Sequence, residues 1–110
     1  MATFRKGDIV LFPFPYTDLS DRKIRPSLVI SNEMNDDIVL CQITSKIKQD
    51  SYAIELRKDE TINGTLSIDS YIRSNMIFTA ARSQILKKIC EVSDEKYREV
   101  TSAIAKIIYK

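Results

Sequence analysis

Arg25 is the residue of this chain whose type and position most directly suggest chemistry. It stands immediately before Pro26 and the apolar run Leu28–Ile30, after a polar segment. A residue before proline is driven toward extended backbone, and the proline ring has no N–H to give to a strand ladder. We therefore expect Arg25 at the entrance of a strand, where its cation lies at the mouth of a loop and can meet an anion.

Histidine is absent from the sequence. This excludes the commonest general acid and base, the usual zinc ligand and every Ser-His or Cys-His nucleophile pair. The sequence also contains no cluster of metal-ligand residues, so no metal or other cofactor is expected. Any catalysis has to rely on Arg, Lys, Thr, Ser, Tyr or carboxylate side chains.

The length and charge of the chain narrow its class. With 110 residues it is expected to be one domain, 1–110, and its net charge of only +2 means that any phosphate-binding surface is local. Cys41 and Cys90 fall inside apolar runs. We expect buried free thiols in a reducing cytoplasm, with a single disulfide as the alternative. No segment resembles a signal peptide or a membrane span, so a cytoplasmic protein without membrane contact is expected.

Short apolar runs separated by turn signals predict a β-rich chain. Pro13 places the end of the first strand at an edge or a strand terminus. Asn63-Gly64 is typical of a tight turn and predicts a small hairpin leading into Thr65–Ile68. A bend at Ser74-Asn75 is expected to interrupt or divide a later strand. The predicted strands are Ile9–Phe14, Arg25–Ser31, Ile38–Ile43, Tyr52–Arg57, Ser70–Thr79 and Ile85–Val92.

One helix should close the chain. Ser93 is a good N-cap, and Asp94 and Glu95 occupy the first turn, where the helix dipole favours negative charge. Apolar residues at three- and four-residue spacing from Tyr97 to Ile108 predict an amphipathic helix that packs on the sheet. A β-rich fold, all-β or α+β, closed as a small barrel with this helix, is the expected architecture.

Four blocks of the sequence resemble the MazF/PemK family of toxin ribonucleases from bacterial toxin–antitoxin pairs. They are KGDIVLFPFPYTDLSDRKIRPSLVISN (Lys6–Asn32), CQITSK (Cys41–Lys46), SYIRSNMIFT (Ser70–Thr79) and the strand and helix from Ile85 onward. The resemblance implies an SH3-like barrel and a symmetric homodimer whose groove holds single-stranded RNA. It also implies metal-independent endoribonuclease action on mRNA and a cognate antitoxin as partner.

The resemblance assigns two catalytic residues. The catalytic arginine of the family corresponds to Arg25, before the proline of the second strand, and its hydroxyl partner corresponds to Thr44. A guanidinium is a permanent cation with a planar fork of donors, which suits the charge that builds on a phosphate attacked by a ribose 2′-OH. The expected products are a 2′,3′-cyclic phosphate and a 5′-hydroxyl. Without the resemblance, Arg25 could be a solvated strand-edge charge, and the Thr44 hydroxyl could bond to its own backbone.

Further residues are candidates for contact with the substrate. They are Phe14, Tyr16, Asp18, Ser45, Lys46 and Asn75. Phe14 and Tyr16 could stack on bases or belong to a core or dimer interface. The general base is either Asp18 or solvent, and the sequence does not decide between them. Lys46, like Lys48 and Arg22-Lys23, could contact phosphates or be solvated. Some family members have an aspartate where this chain has Asn75, and an amide cannot act as a base.

Two other function classes compete with the nuclease. One is a non-catalytic binding module on the same barrel, as a degenerate toxin or a poison of a protein target. The other is a structural barrel subunit that only binds a partner. A shared fold does not fix function, so the choice depends on whether Arg25 and Thr44 meet in one groove.

Overall fold

The computed structural model describes residues 3–15, 22–46 and 49–109, without the side chains of Pro15 and Arg22. Its strands are β1 (Asp8–Pro15), β2 (Arg22–Val29), β3 (Asp37–Thr44), β4 (Ala53–Leu56), β5 (Thr61–Ile62), β6 (Ser70–Ala81) and β7 (Lys87–Val92), and one helix, α1 (Asp94–Ile108), follows them. The strands form an antiparallel sheet in the order β4-β6-β3-β2-β1-β7-β5, which curls into a nearly closed barrel. The predicted β-rich barrel with a C-terminal helix is confirmed.

Alternating side chains of the strands build two apolar clusters, one on each face of the sheet. Ile9 and Leu28 belong to the cluster that also receives the helix, whereas Val10 and Phe12 belong to the other. This is the alternation that the sequence of β1 predicts. Apolar packing therefore covers both faces of the sheet.

Two prolines lie beside the ends of two ladders. Pro13 is inside β1 and opposite Ile24 of β2, but it lies beyond Leu11, the last β1 residue paired with β7. It therefore occupies an edge, one of the two positions predicted for it, and not the strand terminus.

Pairing of β2 with β3 stops at Ser27, opposite Gln42, next to Pro26. Pairing of β2 with β1 continues to Arg22, so Arg25 lies inside β2 and the predicted strand entrance at Arg25 is wrong. Because Pro26 cannot donate to β3, β2 and β3 are free to separate from that point onward.

The predicted hairpin after Asn63-Gly64 is wrong. Residues 65–68 form no strand, and β5, which precedes the turn, pairs with β7 instead. Asn63 and Gly64 both have positive φ, at 53° and 135°, as expected of turn residues. A Cβ on Gly64 would lie 2.2 Å from the carbonyl oxygen of Ile89, so the glycine permits a close approach to β7 rather than a hairpin.

β6 is one continuous strand with an irregularity close to the predicted bend. The β3–β6 register shifts between Cys41, opposite Ile77, and Ile43, opposite Ile72. Ser74 lies inside this irregular stretch, and both its N–H and its hydroxyl donate to the carbonyl oxygen of Tyr52, at 3.1 and 2.7 Å. β4 accompanies β6 only as far as Arg73.

The C-terminal helix begins as predicted. The Ser93 hydroxyl accepts a hydrogen bond from the backbone N–H of Lys96 at 3.1 Å, which satisfies one of the free donors of the first turn. Val100 and Ile104 are buried against the barrel, and the Tyr97 hydroxyl donates to the carbonyl oxygen of Ile30 at 2.8 Å. Within the described ranges, no helix is long and apolar enough to cross a membrane.

Cys41 and Cys90 are both buried and both free, so the free-thiol prediction holds and the alternative disulfide does not form. Burial raises the pKa of the Cys41 thiol to about 12, because the apolar surroundings disfavour the thiolate. The same cause raises the pKa of Cys90. Both thiols are therefore protonated at neutral pH and act as small apolar core residues.

Candidate active site

A groove of about 530 Å³ opens at the end of the barrel where β2 and β3 separate. Arg25 and Thr44, the two predicted catalytic residues, both line it, as do Ser45 and Lys46. The groove therefore brings together four of the residues that the sequence marked as catalytic or substrate-binding.

The strand register explains why Arg25 and Thr44 share this groove. Ser27 pairs with Gln42, and continuing the same register by two residues would place Arg25 opposite Thr44. Pro26 ends the ladder between these positions, so the two residues flank an opening rather than a hydrogen-bonded pair. Pro26, which marked Arg25 as a candidate in the sequence, therefore also helps to form the opening.

Basic residues give the groove its charge. Lys23, Arg25, Lys46 and Arg73 line it, and no acidic residue is among the described residues that do so. In the same described part of the chain, Arg25 forms no ion pair, whereas Arg73 Nε lies 3.3 Å from Asp50 Oδ2. The small net charge meant that any phosphate-binding surface is local, and this groove is a local cluster of basic residues.

The Thr44 hydroxyl is hydrogen-bonded to the backbone of Lys46, two residues further along the chain. Its oxygen accepts from the N–H of Lys46 at 3.2 Å, and its O–H is 3.1 Å from the Lys46 carbonyl oxygen. These contacts tie the end of β3 to the next two residues and place the Lys46 backbone beside the hydroxyl. The alternative that the sequence left open for Thr44, a hydroxyl bonded to the local backbone, is thus observed, and the residue is buried, with 7% exposure.

Two predicted substrate contacts lie elsewhere in the single chain. Phe14 is half-buried and packs edge-to-face on Phe12 and Phe78, with ring centroids 5.2 and 5.3 Å apart. Asn75 is exposed on β6 and is not among the residues that line the groove. Tyr16, Asp18 and Lys48 lie outside the described residues.

Arg73 is a site residue that the sequence reasoning did not select. It enters the groove from β6, while the buried Cys41 thiol donates to its carbonyl oxygen at 3.0 Å. The segment Leu66–Ser70 forms another wall of the groove that the sequence did not predict. Neither Arg73 nor this segment has a sequence pattern that indicates a site, because only the pairing of β6 with β3 brings them to the end of β2.

Among the residues that the structure describes, no group of three or more His, Cys, Asp or Glu side chains could hold a metal ion. The groove itself offers guanidinium and ammonium groups, hydroxyls and backbone amides, which are donors suited to an anion. This arrangement of donors can bind a phosphate and stabilise the negative charge that develops on it.

Comparison with known families gives one match over most of the chain. The model of a family described as the PemK-like, MazF-like toxin of type II toxin–antitoxin systems matches residues 5–108. No curated protein sequence matches the chain at a significant level.

Solved structures share the fold at low sequence identity. A MazE–MazF complex from Deinococcus radiodurans aligns with a TM-score of 0.79 and 16% identity, over 97% of each chain. A mycobacterial endoribonuclease in complex with its cognate antitoxin gives 0.74 and 15%, over 98% of this chain and 95% of that one. The Mycobacterium tuberculosis toxin MazF-mt6 gives 0.67 and 13%, over 90% and 95%.

Proposed function

We propose that this chain is an endoribonuclease toxin, because it belongs to the PemK-like, MazF-like toxin family of type II toxin–antitoxin systems. It cleaves single-stranded mRNA in the cytoplasm without a metal ion, as one toxin domain over residues 1–110. The observation that carries the proposal is the groove that Arg25 and Thr44 line together with Lys23, Lys46 and Arg73.

Arg25 supplies the electrostatic part of the mechanism. The ribose 2′-OH attacks the adjacent phosphorus, and negative charge grows on the non-bridging oxygens as the new O–P bond forms. A guanidinium that faces this phosphate stabilises the charge more in the transition state than in the ground state, which is the condition for catalysis. A guanidinium is a poor proton donor, so the role of Arg25 is charge stabilisation.

The first step is a transesterification that needs no metal ion and consumes no water. The 2′-oxygen gives its proton to a general base, for which Asp18 and solvent are the candidates, and bonds to phosphorus, while the bond from phosphorus to the 5′-oxygen breaks. The departing 5′-oxygen takes up a proton and leaves as a hydroxyl, and the other fragment ends in a 2′,3′-cyclic phosphate. Lys23, Lys46 and Arg73 offset the charge of the neighbouring phosphates and hold the strand in the groove.

Thr44 positions the phosphate by hydrogen bonding. Its O–H is 3.1 Å from the Lys46 carbonyl oxygen, so donation to a phosphate requires the hydroxyl proton to rotate away from that carbonyl. The bond that the hydroxyl accepts from the Lys46 N–H can persist, because it uses the oxygen lone pair. The backbone contact thereby fixes the oxygen while leaving the proton available to the substrate.

Two protein partners belong to the proposal. The first is a cognate antitoxin, which the complexes of MazF from Deinococcus radiodurans with MazE and of the mycobacterial endoribonuclease with its antitoxin support. The second is another copy of the chain in a homodimer, as the sequence resemblance implies.

The outer edge of β6 supports the homodimer. Beyond Arg73 no strand of the described chain pairs with the β4 side of β6. Met76 and Ile77 are both 41% exposed there, and no charged residue occurs from Ser74 to Ala81. Monomeric proteins usually protect such an edge with charges or bulges, so an uncharged one suits pairing with a second chain.

Cleavage of a long RNA in the presence of EDTA tests the proposal. The wild-type protein should give fragments with 2′,3′-cyclic phosphate and 5′-hydroxyl ends, and Arg25→Ala should lower the rate by about 10²–10³-fold, as expected for loss of a principal charge-stabilising group. Arg98→Ala, which removes an exposed arginine of α1, is the matched control and should cut normally. Loss of activity on chelation, or normal cutting by Arg25→Ala, would contradict the mechanism.

The local bonds of Thr44 favour a second candidate, a non-catalytic binding module on the same barrel. Thr44→Val removes the hydroxyl at similar volume, and Thr44→Ser restores it. If the protein is a nuclease, Thr44→Val should slow cleavage and Thr44→Ser should recover most of the rate. A binding module would bind RNA or protein without producing cut ends in any of these variants.

A further inference from the structure

The groove has two chemically different parts. Four of its lining residues are the basic ones described above, whereas most of the others are apolar. The apolar lining consists of Leu11, Ile24, Pro26, Ile43, Leu66, Ile68 and Ile89. A phosphate uses only the basic part, so the apolar part remains for another portion of the ligand.

Two isoleucines stand out in the apolar part because they are exposed. Ile24 of β2 is 55% exposed and Ile68, in the segment before β6, is 57% exposed, although both line the groove. Single exposed apolar residues are ordinary on a protein surface. Here both line the same groove as Arg25, so this groove offers exposed apolar surface as well as positive charge.

The backbone around Ile68 is fixed. Leu66 is buried in the core, the Asp69 carboxylate accepts from the N–H of Lys58 at 2.9 Å, and the Ser70 hydroxyl donates to the Ile68 carbonyl oxygen at 3.0 Å. The segment is therefore anchored on both sides of Ile68. Its side chain is held at the groove instead of folding into the core.

We infer that the apolar part of the groove, between Ile24 and Ile68, is a subsite for one base of the RNA next to the phosphate bound by Arg25. The inference rests on the proposed function and specifies what its groove binds besides phosphate. A nucleobase has a flat apolar face, and single-strand binders combine a basic track with apolar or aromatic surfaces for such faces. The volume of about 530 Å³ is within the usual range for pockets that hold small ligands, and a single nucleotide is a ligand of that kind.

The composition of the subsite predicts that it distinguishes a base from no base, but one base from another only weakly. Isoleucine side chains provide contact area and no hydrogen bonds, so the base contributes affinity through its size and stacking face. Phosphate contacts position a nucleic acid, while contacts to bases carry the information. Removing the base should therefore weaken binding more than exchanging one base for another at this position.

Binding by uncleavable probes tests this subsite independently of catalysis. One probe is a random-sequence 2′-O-methyl RNA 8-mer, and the other is an abasic ribose-phosphate 8-mer with the same charge. Wild-type protein should bind the first about tenfold more tightly than the second, as expected from the loss of base contacts. Ile68→Ser and Ile24→Ser should each reduce this ratio at least about threefold, and Ile68→Leu should keep it.

Matched controls separate the base contact from other effects. Ile62→Ser changes an isoleucine that is 45% exposed on β5 and outside the groove lining, so the ratio should stay at the wild-type value. Arg25→Ala should weaken both probes by the same factor and leave the ratio unchanged. Thermal unfolding followed by circular dichroism checks that each variant is folded.

The outcomes distinguish this subsite from the nuclease proposal. Equal ratios for wild type, Ile24→Ser and Ile68→Ser would overturn the subsite even if the protein cuts RNA. A wild-type ratio near one, or no binding to either probe, would also overturn it. A ratio that falls in both isoleucine variants, in a protein that never yields cut ends, would support the subsite and contradict the nuclease.

Discussion

Arg73 Nε and Asp50 Oδ2 lie 3.3 Å apart, with 33% and 14% of their side chains exposed. Of the four basic residues that line the groove, Arg73 is paired in this way, and the pair leaves little net charge at that end of it. The Asp50 carboxylate also accepts from the N–H of Tyr52 at 2.9 Å, so it is held in place by the turn before β4. Asp50 therefore sets how much positive charge the groove presents to RNA.

Asp50→Asn should strengthen RNA binding and make it more sensitive to salt. The amide keeps the hydrogen-bonding shape but releases the full charge of Arg73 to the groove. If Arg73 then neutralises one more phosphate, the slope of log K against log salt concentration becomes steeper by about 0.7. Fluorescence anisotropy with the 2′-O-methyl probe between low and moderate salt measures this slope.

The control for this prediction is Asp36→Asn, which changes the charge of an exposed aspartate in the turn before β3, at the opposite end of that strand from Thr44. It should leave the slope unchanged. The same steepening in both variants would mean that the effect comes from net charge and not from the groove.

The buried thiol of Cys41 should make the protein less stable at high pH. Its pKa is raised from 9.0 to about 12 by burial, so between these values the unfolded chain releases the proton and the folded chain keeps it. The unfolded state then binds fewer protons, and the free energy of unfolding falls as the pH rises above 9. At pH 10.5 the loss from this one group is about 2 kcal/mol.

Urea unfolding of wild type and Cys41→Ala at pH 8 and pH 10.5 measures this contribution. Cys41→Ala lowers stability at pH 8, because it removes buried volume and the hydrogen bond to Arg73. Its further loss between the two pH values should be smaller than that of wild type. An identical pH dependence in both proteins would show that Cys41 ionises equally in the folded and unfolded chains.

Gly64→Ala should be more destabilising than Gly7→Ala. Both glycines have positive φ, at 135° and 93°, and such strain costs about 1–3 kcal/mol in a residue with a side chain. A Cβ at Gly7 would still be 3.7 Å from its nearest neighbour, the Val92 carbonyl oxygen, but at Gly64 it would be 2.2 Å from the Ile89 carbonyl oxygen. The Gly64 variant therefore carries the strain and a backbone clash.

Thermal and chemical unfolding of the two glycine variants makes the comparison. Because Ile89 lines the groove, a shift of β7 in Gly64→Ala should also reduce RNA binding, whereas Gly7→Ala should bind normally once folded. Equal stabilities would indicate that β7 moves away from residue 64 at little cost.

Ser93→Ala should lower the free energy of unfolding by about 1 kcal/mol, because the first turn of α1 loses the side-chain acceptor for the Lys96 N–H. Ser102→Ala is the matched control at an exposed helical position, where alanine is the better helix former. It should be neutral or slightly stabilising. Denaturant unfolding of the two variants gives the difference, and equal losses would rule out the cap as the cause.

The sequence by itself determined the β-rich content and the closing helix, which depend on local effects: alternation along β1 and the cap at Ser93. It misplaced Arg25, which was expected at a strand entrance and lies inside β2, because pairing with β1 extends β2 back to Arg22. The same local rules were misleading at Asn63-Gly64, where a turn signal that normally joins two strands serves a close contact with Ile89. A turn motif determines which backbone angles are allowed, but it does not determine which strand lies next to the turn.

Only the tertiary structure decided what accompanies Arg25. Thr44, Arg73 and Ile68 reach its groove from different parts of the chain, because β2 pairs with β3 and β3 with β6. The tertiary structure also determined the surroundings of the groove residues, such as the pairing of Arg73 with Asp50 and the exposure of Ile68. Strand pairing joins residues that are distant in sequence, and no local pattern encodes which strands become neighbours.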